Sequence, residues 1–381
     1  MKNDIITALD FRSGKITCFS CMPSPEGFII TGGGESAYGG YYEGEFLEEE
    51  QLAQAVASAI TRCERGKEAI KKVYVGVPGE FTSVVTGEAS LLFSAKKRIT
   101  REDTMELLRK ANLYSGVKGY NLISRSSIYY IINDETRTID PVGHTASKLT
   151  VMASYIFLSD YFKECVDKAL KAKGVEAEEY VSSCLTQALY LVDAQQRDNF
   201  AILMDVGYMS SSVVLIGGDG LLFLKSFSMG SGHIEGDLCE VLGCPFEMAR
   251  QLFKSVNLNL EFGDKDNYTL KEGVEFNAVK TNEVVKARIE EIARYTIQCF
   301  EDCEYDIPPQ TPIFLGGEGL INTKGAAEEL TKCFGKQVKV IKTPATLTDK
   351  KEYASAYSLL DLACKQSAPQ KKNFLNWLKR K

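Results

Sequence analysis

The fold is decided by a short stretch near the amino terminus, ALDFRSGKITCF at residues 8–19, and by a second stretch of the same design, LMDVGYMSSSVV at residues 203–214. In each stretch an apolar run ends at an aspartate, a turn of small and polar residues follows, and a second β-prone run begins. This order predicts a β-hairpin with an aspartate at the end of its first strand. Because a third β-prone run follows both hairpins, the sequence predicts two halves of similar architecture.

The turns of these two hairpins predict phosphate binding. Backbone N–H groups and hydroxyls in such a turn face anionic oxygens, and the aspartate beside the turn suits Mg²⁺, usually held through water. The residues concerned are Asp10 with Ser13, Gly14 and Lys15, and Asp205 with Gly207, Ser210, Ser211 and Ser212. A predicted strand at 312–315 leads into GGEG at 316–319, where glycine lets the backbone approach a nucleoside. Together these turns predict one nucleotide with Mg²⁺, clamped between two lobes.

The rest of the chain alternates between strand and helix patterns. Strands are predicted at 5–9, 16–19, 28–31, 72–77, 119–132, 148–157, 200–205, 211–216, 220–226 and 312–315. Helices are predicted at 48–64, from an N-cap at Thr100, and at 159–172, 186–191, 235–256 and 282–301. Residues 83 to about 160 are predicted to form a compact αβ insertion.

The composition restricts the class of protein. A chain of 381 residues is expected to form two lobes or several subdomains. A net charge of −6 argues against general nucleic-acid binding, which requires a basic face. No apolar run approaches the roughly 18 residues of a membrane span, and acidic residues interrupt the amino terminus where a signal peptide would be apolar. The body of the protein is therefore predicted to be cytoplasmic.

The eleven cysteines are predicted to be reduced thiols in the core. Cys18 and Cys21 form a CxxC pair, and Cys299 and Cys303 are four residues apart on a predicted helix. A zinc site would need a second close pair or histidines, and the chain has only two histidines.

Several motifs resemble the actin, Hsp70 and sugar-kinase superfamily, and the bacterial FtsA family within it. They are ALDFRSGK (8–15), KKVYVGVPG (71–79), FSMGSGHIEGDL (227–238), CPFEMARQL (244–252), VVKARIEEI (284–292), FLGGEGLI (314–321) and YASAYSLL (353–360). Two further stretches, RITREDTMELLRKA (98–111) and IDPVGHTASKLTV (139–151), resemble the subdomain that FtsA inserts into this fold. Generic actins, Hsp70s and sugar kinases lack that insertion, so it favours FtsA.

The resemblance implies an actin-like (ribonuclease H-like) α/β fold with two lobes. It implies a lobe 1 core (1A) at 1–82 and 162–196, the insertion (1C, or SHS2) at 83–161, and a lobe 2 core (2A) at 197–239 and 312–365. Subdomain 2B is expected at 240–311, and a linker with a terminal helix at 366–381. The residues implied to contact nucleotide, besides those of the first hairpin turns, are Gly230, Ser231, Gly232, Glu247, Gly316, Gly317 and Glu318.

The phosphate loops also depart from the family pattern. The second loop of the family is DIGGGTTD, and this chain has DVGYMSSS, so Tyr208 and Met209 replace glycines and Ser212 replaces an aspartate. Arg12 stands where glycine is usual, and its guanidinium either binds a phosphate or fills its space. Gln187 is the one obvious candidate to position an attacking water. Hydrolysis is therefore predicted to be weak or lost, with ATP either kept between the lobes or lost too.

The carboxyl terminus reads KKNFLNWLKRK at 371–381. On a helix, Phe374, Leu375, Trp377 and Leu378 fall within one apolar arc, with Lys379 and Arg380 outside it. The same sequence is also compatible with a basic tail without structure, or with a helix docked on the protein. An amphipathic helix on a linker at this position resembles the membrane-targeting device of FtsA. The prediction is a helix that binds anionic lipid weakly alone and firmly when a polymer gathers many copies.

Three functions fit these observations. The first is an FtsA-like adaptor that polymerises, holds the FtsZ carboxyl-terminal peptide on residues 240–311 with Lys286 and Arg288 as candidate contacts, and works with other division proteins at the inner face of the membrane. The second is a pilus-assembly adaptor of the PilM type, which shares the insertion without the tail. The third is a small-molecule kinase of the same superfamily.

Overall fold

The structure is a computed structural model that describes residues 5–25, 27–64, 69–111, 117–271, 273–342 and 350–367. Up to α5 the elements are β1 (Ile6–Phe11), β2 (Lys15–Ser24), β3 (Gly27–Ala37), β4 (Tyr41–Tyr42), β5 (Glu45–Phe46), α1 (Glu49–Glu64), β6 (Lys72–Val77), β7 (Thr82–Arg98), α2 (Arg101–Lys110), β8 (Tyr120–Ile132), β9 (Thr136–Thr138), β10 (Thr145–Ser159), α3 (Asp160–Lys173), β11 (Glu176–Ser182), α4 (Ser183–Leu191) and α5 (Ala194–Asp198). The later elements are β12 (Ala201–Val206), β13 (Ser211–Gly217), β14 (Gly220–Phe227), α6 (Ser231–Leu242), α7 (Phe246–Ser255), β15 (Asn267–Thr269), β16 (Glu275–Asn277), α8 (Ala278–Glu301), β17 (Ile313–Gly316), α9 (Ala326–Phe334), β18 (Val338–Val340) and α10 (Ala354–Ser367).

Both lobes are built on a five-stranded sheet with the same strand order. The order is β3-β2-β1-β6-β11 in the first lobe and β14-β13-β12-β17-β18 in the second. In each sheet three consecutive strands, β1 to β3 or β12 to β14, pair in antiparallel. Two later strands, β6 and β11 or β17 and β18, then extend the sheet in parallel from the free edge of the first strand. The strands β1 and β12 are buried over every residue, as central strands covered on both faces must be. The duplication predicted from the two hairpins is therefore present in the topology.

The insertion forms a separate antiparallel sheet of order β7-β10-β8-β9, with α2 packed against it. The helix α2 begins with a capping box, because the Thr100 side chain accepts from the Asp103 backbone N–H and the Asp103 carboxylate accepts from the Thr100 N–H. Leu107 of the helix lies in one core with Leu149 and Tyr155 of β10. These elements span the region that the sequence predicted as the 83–161 insertion.

The single helix predicted for residues 235–256 is wrong, because the structure has α6 and α7 there. Gly243 ends α6 with a φ of 61°, a left-handed conformation that glycine adopts without a Cβ penalty. Pro245 follows, and its fixed φ and missing N–H suit the start of α7 rather than a helix interior. Both residues are visible in the sequence, and together they divide the helix.

The helix α10 corrects the predicted lobe boundaries. Residues 312–365 were assigned to lobe 2, but α10 packs on the sheet of lobe 1, where Tyr357 and Leu360 share a core with Ile6 and Val181. The helix also continues to Ser367, into the segment predicted as linker. The chain therefore returns to its first lobe after building the second.

The sequence predicts reduced cysteines and no run that spans a membrane. All eleven cysteines are thiols rather than disulfides. The two cysteines of the CxxC pair have different neighbours, since Cys18 lies in one core with Cys63 and the Cys21 Sγ lies 3.5 Å from the Cys364 Sγ. Within the described ranges, no helix has the length and apolar character needed to cross a membrane.

Phe162 tests how much the first lobe depends on its aromatic core. This ring is fully buried and lies 4.8–5.6 Å, between centroids, from Phe11, Phe46 and Phe81. Replacing Phe162 by alanine should lower the free energy of unfolding by about 3–5 kcal/mol, because it leaves a cavity. Guanidinium denaturation should show a loss below about 0.5 kcal/mol for Leu92→Ala, whose side chain is 78% exposed. Equal losses in the two variants would contradict this packing.

Candidate functional site

The two hairpin turns predicted to bind phosphate face each other between the lobes. Each turn follows a central strand, and each strand ends beside a glycine of its parallel neighbour, with Asp10 opposite Gly76 and Asp205 opposite Gly316. The glycine at 76 is needed because a Cβ there would come within 2.8 Å of an Asp10 carboxylate oxygen. The symmetric topology therefore brings both aspartates to the same cleft.

A buried ion pair joins the two lobes across this cleft. The Arg12 guanidinium of the first turn donates from Nη1 to Oδ2 of Asp205 at 2.8 Å and from Nη2 to Oδ1 at 2.6 Å. The Gln187 amide, also from the first lobe, donates to the same Oδ2 at 2.7 Å. Both carboxylate oxygens of Asp205 therefore accept from side chains of the opposite lobe. The Arg12 carbonyl in turn accepts from the Tyr38 hydroxyl at 2.9 Å, which fixes the first turn.

The pair accounts for the charge state of Asp205. Burial alone would raise the pKa of this carboxyl, but the charge and hydrogen bonds of Arg12, with the bond from Gln187, outweigh burial and hold the pKa below its usual value. Burial would likewise lower the pKa of Arg12, and the charge of Asp205 with its hydrogen bonds raises that pKa well above its usual value instead. Both groups are therefore ionised in the folded protein.

Asp10 has a different environment from Asp205. Its Oδ1 accepts from the Ser355 hydroxyl of α10 at 2.9 Å and from the Ser183 hydroxyl of α4 at 3.2 Å. Burial raises the pKa of Asp10, and the charge of Arg12 and these two hydroxyls offset that effect only in part. The two aspartates predicted to share one magnesium ion are thus held by separate groups, with pKa values shifted in opposite directions.

The ring of Tyr208 lies between the first turn and the start of α6. A Cβ built on Gly14 would come within 2.9 Å of its Cδ1, and one on Gly232 within 3.0 Å of its Cζ. The hydroxyl donates to Glu235 at 3.0 Å and accepts from Arg250 at 3.1 Å. Two of the glycines predicted to admit a nucleotide therefore admit this ring.

The hydroxyls of the turns also have protein partners. The Ser13 hydroxyl accepts from the Met209 backbone N–H at 2.9 Å, and Ser211 donates to the Met229 carbonyl at 2.6 Å. Ser210 donates to the Glu80 carboxylate, and Ser212 shares a hydrogen bond of 2.8 Å with Ser226. The backbone N–H of Gly207 donates to the Ser210 carbonyl, and those of Ser231 and Gly232 donate to carbonyls of the second turn.

The remaining predicted nucleotide residues lie at the rim of the cleft. The Lys15 ammonium forms an ion pair of 3.0 Å with Glu318. Gly317 has a φ of 82°, and a Cβ there would come within 2.4 Å of an Asp205 oxygen. Gly230 packs against the second turn, since its Cβ would meet the Gly207 carbonyl oxygen at 2.4 Å. Glu247 lies on an exposed face, where its carboxylate is 3.7 Å from Arg250.

The residues present do not fit a magnesium triphosphate in this arrangement. Three hydrogen bonds from Arg12 and Gln187 occupy most of the acceptor sites of the Asp205 carboxylate and leave about one lone pair on Oδ1 for a metal-bound water. The cavity left between the turns is about 20 Å³, whereas ligand pockets measure about 300–1,000 Å³. That space is large enough for about one water molecule. A larger groove of about 610 Å³ in the described chain lies away from the cleft, between α1 and α3. Among the described residues, no group of three His, Cys, Asp or Glu is placed to bind a metal.

Sequence reasoning missed several residues of this cleft. Glu80, Ser183 and Ser355 bond to predicted site residues, and Glu235 and Arg250 bond to Tyr208, although none of the five was assigned a role. Ser355, Glu235 and Arg250 lie within motifs quoted from the sequence, so a signal existed for these three residues. Glu80 and Ser183 are ordinary polar residues whose role depends on which elements meet.

The predicted partner and membrane residues lie elsewhere. Arg288 donates to both oxygens of Asp237 at 2.6 and 2.7 Å and also to Glu291, so it joins α8 to α6. Lys286 is more open, with 38% of its side chain exposed and Glu329 at 3.7 Å. The predicted membrane residues, Phe374, Leu375, Trp377, Leu378, Lys379 and Arg380, lie outside the described residues.

The ion pair gives a direct prediction. Arg12→Ala should lower the free energy of unfolding by about 3–5 kcal/mol, because it leaves the Asp205 charge buried. The double variant with Asp205→Ala should lose less than the sum of the two single losses, because neither charge is then left alone. Urea denaturation of the four proteins measures this cycle.

An exposed ion pair provides the control. Lys72→Ala breaks a pair with Glu178 in which the side chains are 60% and 40% exposed, and should change stability by less than about 1 kcal/mol. Additive losses at Arg12 and Asp205 would show that the two groups do not interact in solution.

Comparison with known proteins identifies relatives of the chain. No protein-family model matches it. It is 21% identical to the cell division protein FtsA of Streptococcus pneumoniae over 351 residues, which cover 89% of this chain and 76% of that protein. It is 20% identical to FtsA of Helicobacter pylori over 195 residues, which cover 51% of this chain and 40% of that protein.

Solved structures with the same fold are actin-like. The PilM–PilN type IV pilus biogenesis complex has a TM-score of 0.63 at 13% identity, covering 94% of this chain and 98% of that chain. MreB5 of Spiroplasma citri bound to AMPPNP has a TM-score of 0.58 at 10% identity and covers 99% of both chains. The predicted fold class is therefore confirmed. The chain is a divergent relative of FtsA with an actin-like, two-lobed α/β fold.

Proposed function

We propose that this protein is an FtsA-like cell-division adaptor that polymerises and tethers FtsZ to the inner face of the cytoplasmic membrane. The observation that carries the proposal is the similarity to FtsA of Streptococcus pneumoniae along most of both chains. The inserted sheet β7-β10-β8-β9 supports it, because motifs resembling FtsA's own insertion lie within that region. The role requires binding surfaces for FtsZ, lipid, other division proteins and a second copy of the chain.

Membrane attachment is proposed to reside in the last eleven residues, 371–381. Each basic group there contributes about 1 kcal/mol near an anionic leaflet, and apolar side chains add to this when they enter the interface. Ordering so short a helix offsets much of the gain, so one tail binds weakly. A filament that presents many tails binds firmly through effective concentration. Attachment at the division site should therefore follow assembly.

FtsZ binding is proposed on subdomain 2B, which includes α7 and α8. An acidic peptide requires exposed cations, and Arg288 already neutralises Asp237 and Glu291. Lys286 is the more accessible of the two predicted contacts. We therefore assign the peptide contact to Lys286 and a structural role to Arg288.

The proposed adaptor role does not require a catalysed reaction. Anchoring a filament depends on affinity and geometry, so ATP hydrolysis is left out of the proposal. The kinase alternative would need an aspartate free to accept a proton, and Asp205 is bonded to Arg12 and Gln187. The PilM alternative has the same fold, as the PilM–PilN complex illustrates. The two adaptors differ in their partner and in the need for a lipid-binding tail.

The tail can be tested by vesicle pelleting. The intact protein should sediment with phosphatidylglycerol vesicles, and a chain ending at Pro369 should stay in the supernatant. Trp377→Glu should abolish sedimentation, because it puts a charge in the apolar arc. Asn376→Glu adds the same charge outside that arc and should retain most of the binding. A truncated chain that still pellets and still supports division would contradict the anchor.

The FtsZ contact can be tested by fluorescence anisotropy with a labelled peptide of the cell's own FtsZ carboxyl terminus. Lys286→Glu should weaken binding about fivefold or more, since it replaces an attraction by a repulsion. Lys332→Glu is the matched control, because Lys332 pairs with the same Glu329 but lies on α9, outside subdomain 2B. If neither change has an effect while a pilus-assembly peptide binds, the PilM alternative gains the support instead.

A further inference from the structure

The turn hydroxyls and several backbone amides of the cleft bond to other protein atoms. The turn hydroxyls of Ser13, Ser210 and Ser211 each bond to protein atoms, as do the amides of Gly207, Ser231 and Gly232. Among the described residues, the buried polar side-chain atoms without a partner include none from either turn. A site built to hold a polyphosphate keeps such donors for its ligand, because an unpaired buried donor is costly without it. These donors are already used.

The Asp205 carboxylate and the Lys15 ammonium are also paired without a ligand. In a nucleotide site of this design, a metal ion and a phosphate chain would link the aspartates of the two lobes. Here Arg12 supplies the positive charge, and it crosses the cleft in a bidentate geometry that is among the strongest in proteins. Lys15 is neutralised at the rim by Glu318. The cation that the two lobes need is therefore part of the chain.

The volume of the cleft is filled in the same way. The Tyr208 ring occupies the gap between Gly14 and Gly232, and the Arg250 guanidinium links its hydroxyl to Glu235. The ring stands between the first turn and the start of α6, beside two glycines that the sequence predicted to contact nucleotide. About 20 Å³ remains between the turns.

We propose that this protein closes its two lobes with Arg12, Asp205 and Tyr208 in place of a nucleotide, and stays closed without one. The cleft then has no cycle of binding, hydrolysis and release. Assembly of the protein is governed by its concentration and its partners rather than by ATP. This inference rests on the side chains of the cleft, and it stands whether or not the partner is FtsZ.

The first experiment measures nucleotide binding by the full-length protein. Isothermal titration with MgATP and MgADP at millimolar concentration should give no binding heat, and neither nucleotide nor EDTA should shift the melting temperature. A ligand at 100 times its Kd would produce a clear upward shift, so the thermal measurement is sensitive. A saturable MgATP isotherm, with a melting temperature that rises with MgATP and falls back with EDTA, would overturn the proposal.

The second experiment reopens the cleft. Arg12→Gly with Tyr208→Gly restores glycine at two of the departures and should create measurable MgATP binding by the same titration. The matched control is Arg12→Lys with Tyr208→Phe, which keeps the cleft filled and should not bind. If the control binds as well as the glycine variant, the side chains are not what excludes the nucleotide. If the glycine variant does not fold, the titration of the parent protein still decides the proposal.

The third measurement reports closure itself. Hydrogen exchange of residues 11–16 and 206–212 should be slow in the parent protein and unchanged by MgATP. In Arg12→Ala the same amides should exchange roughly 100-fold faster or more, because the link between the lobes is lost. Fast exchange in the parent that slows with MgATP would mean that nucleotide, and not the ion pair, closes the cleft.

Discussion

The architecture depends on one buried contact, the bidentate ion pair between Arg12 and Asp205. A carboxylate at the end of a central strand destabilises an actin-like cleft when it has no partner, because burying an isolated charge costs free energy. In a nucleotide site, a metal ion bound together with the ligand supplies the positive charge that compensates the carboxylate. This chain supplies the cation from the opposite turn, 193 positions away in sequence, with Gln187 as a further donor. The other features of the cleft are consistent with Arg12 taking the place of a ligand-bound cation.

The duplicated topology makes the asymmetry of the two turns informative. The sheets have the same order, and each aspartate lies opposite a glycine of the neighbouring strand. Yet the pKa of Asp10 is raised, because burial outweighs the charge of Arg12 and the two hydroxyls, and that of Asp205 is lowered, because the charge and hydrogen bonds of Arg12 with the bond from Gln187 outweigh burial. A magnesium site would require both carboxylates to serve one ion. The two halves have kept their common fold while their aspartates have acquired separate partners.

The sequence predicted the fold more completely than the cleft. Apolar runs that end at Asp10 and Asp205 identified both hairpins, because hydrophobic periodicity and turn chemistry are local properties. Arg12 and Tyr208 were recognised as departures, but whether Arg12 binds a phosphate or fills its space depends on a neighbour from the other lobe. The same limit applies to Arg288, whose role is set by Asp237 on another helix. Gly243 marks the break between α6 and α7 locally in the sequence, and the prediction for residues 235–256 overlooked it. The placement of α10 on the first sheet depends on tertiary contacts, which no local pattern predicts.

The position of α10 gives the molecule a mechanical property. Its residue Ser355 bonds to Asp10, and Ser358 bonds to Thr186 of α4. The helix is therefore a strut that runs from the aspartate of the first turn toward the end of the described chain. A pull on its far end acts first on the first lobe and on Asp10, before it reaches the second lobe. Traction would thus be borne first by the half of the molecule that holds Arg12, and passed to the other half through the contacts that cross the cleft, the guanidinium among them.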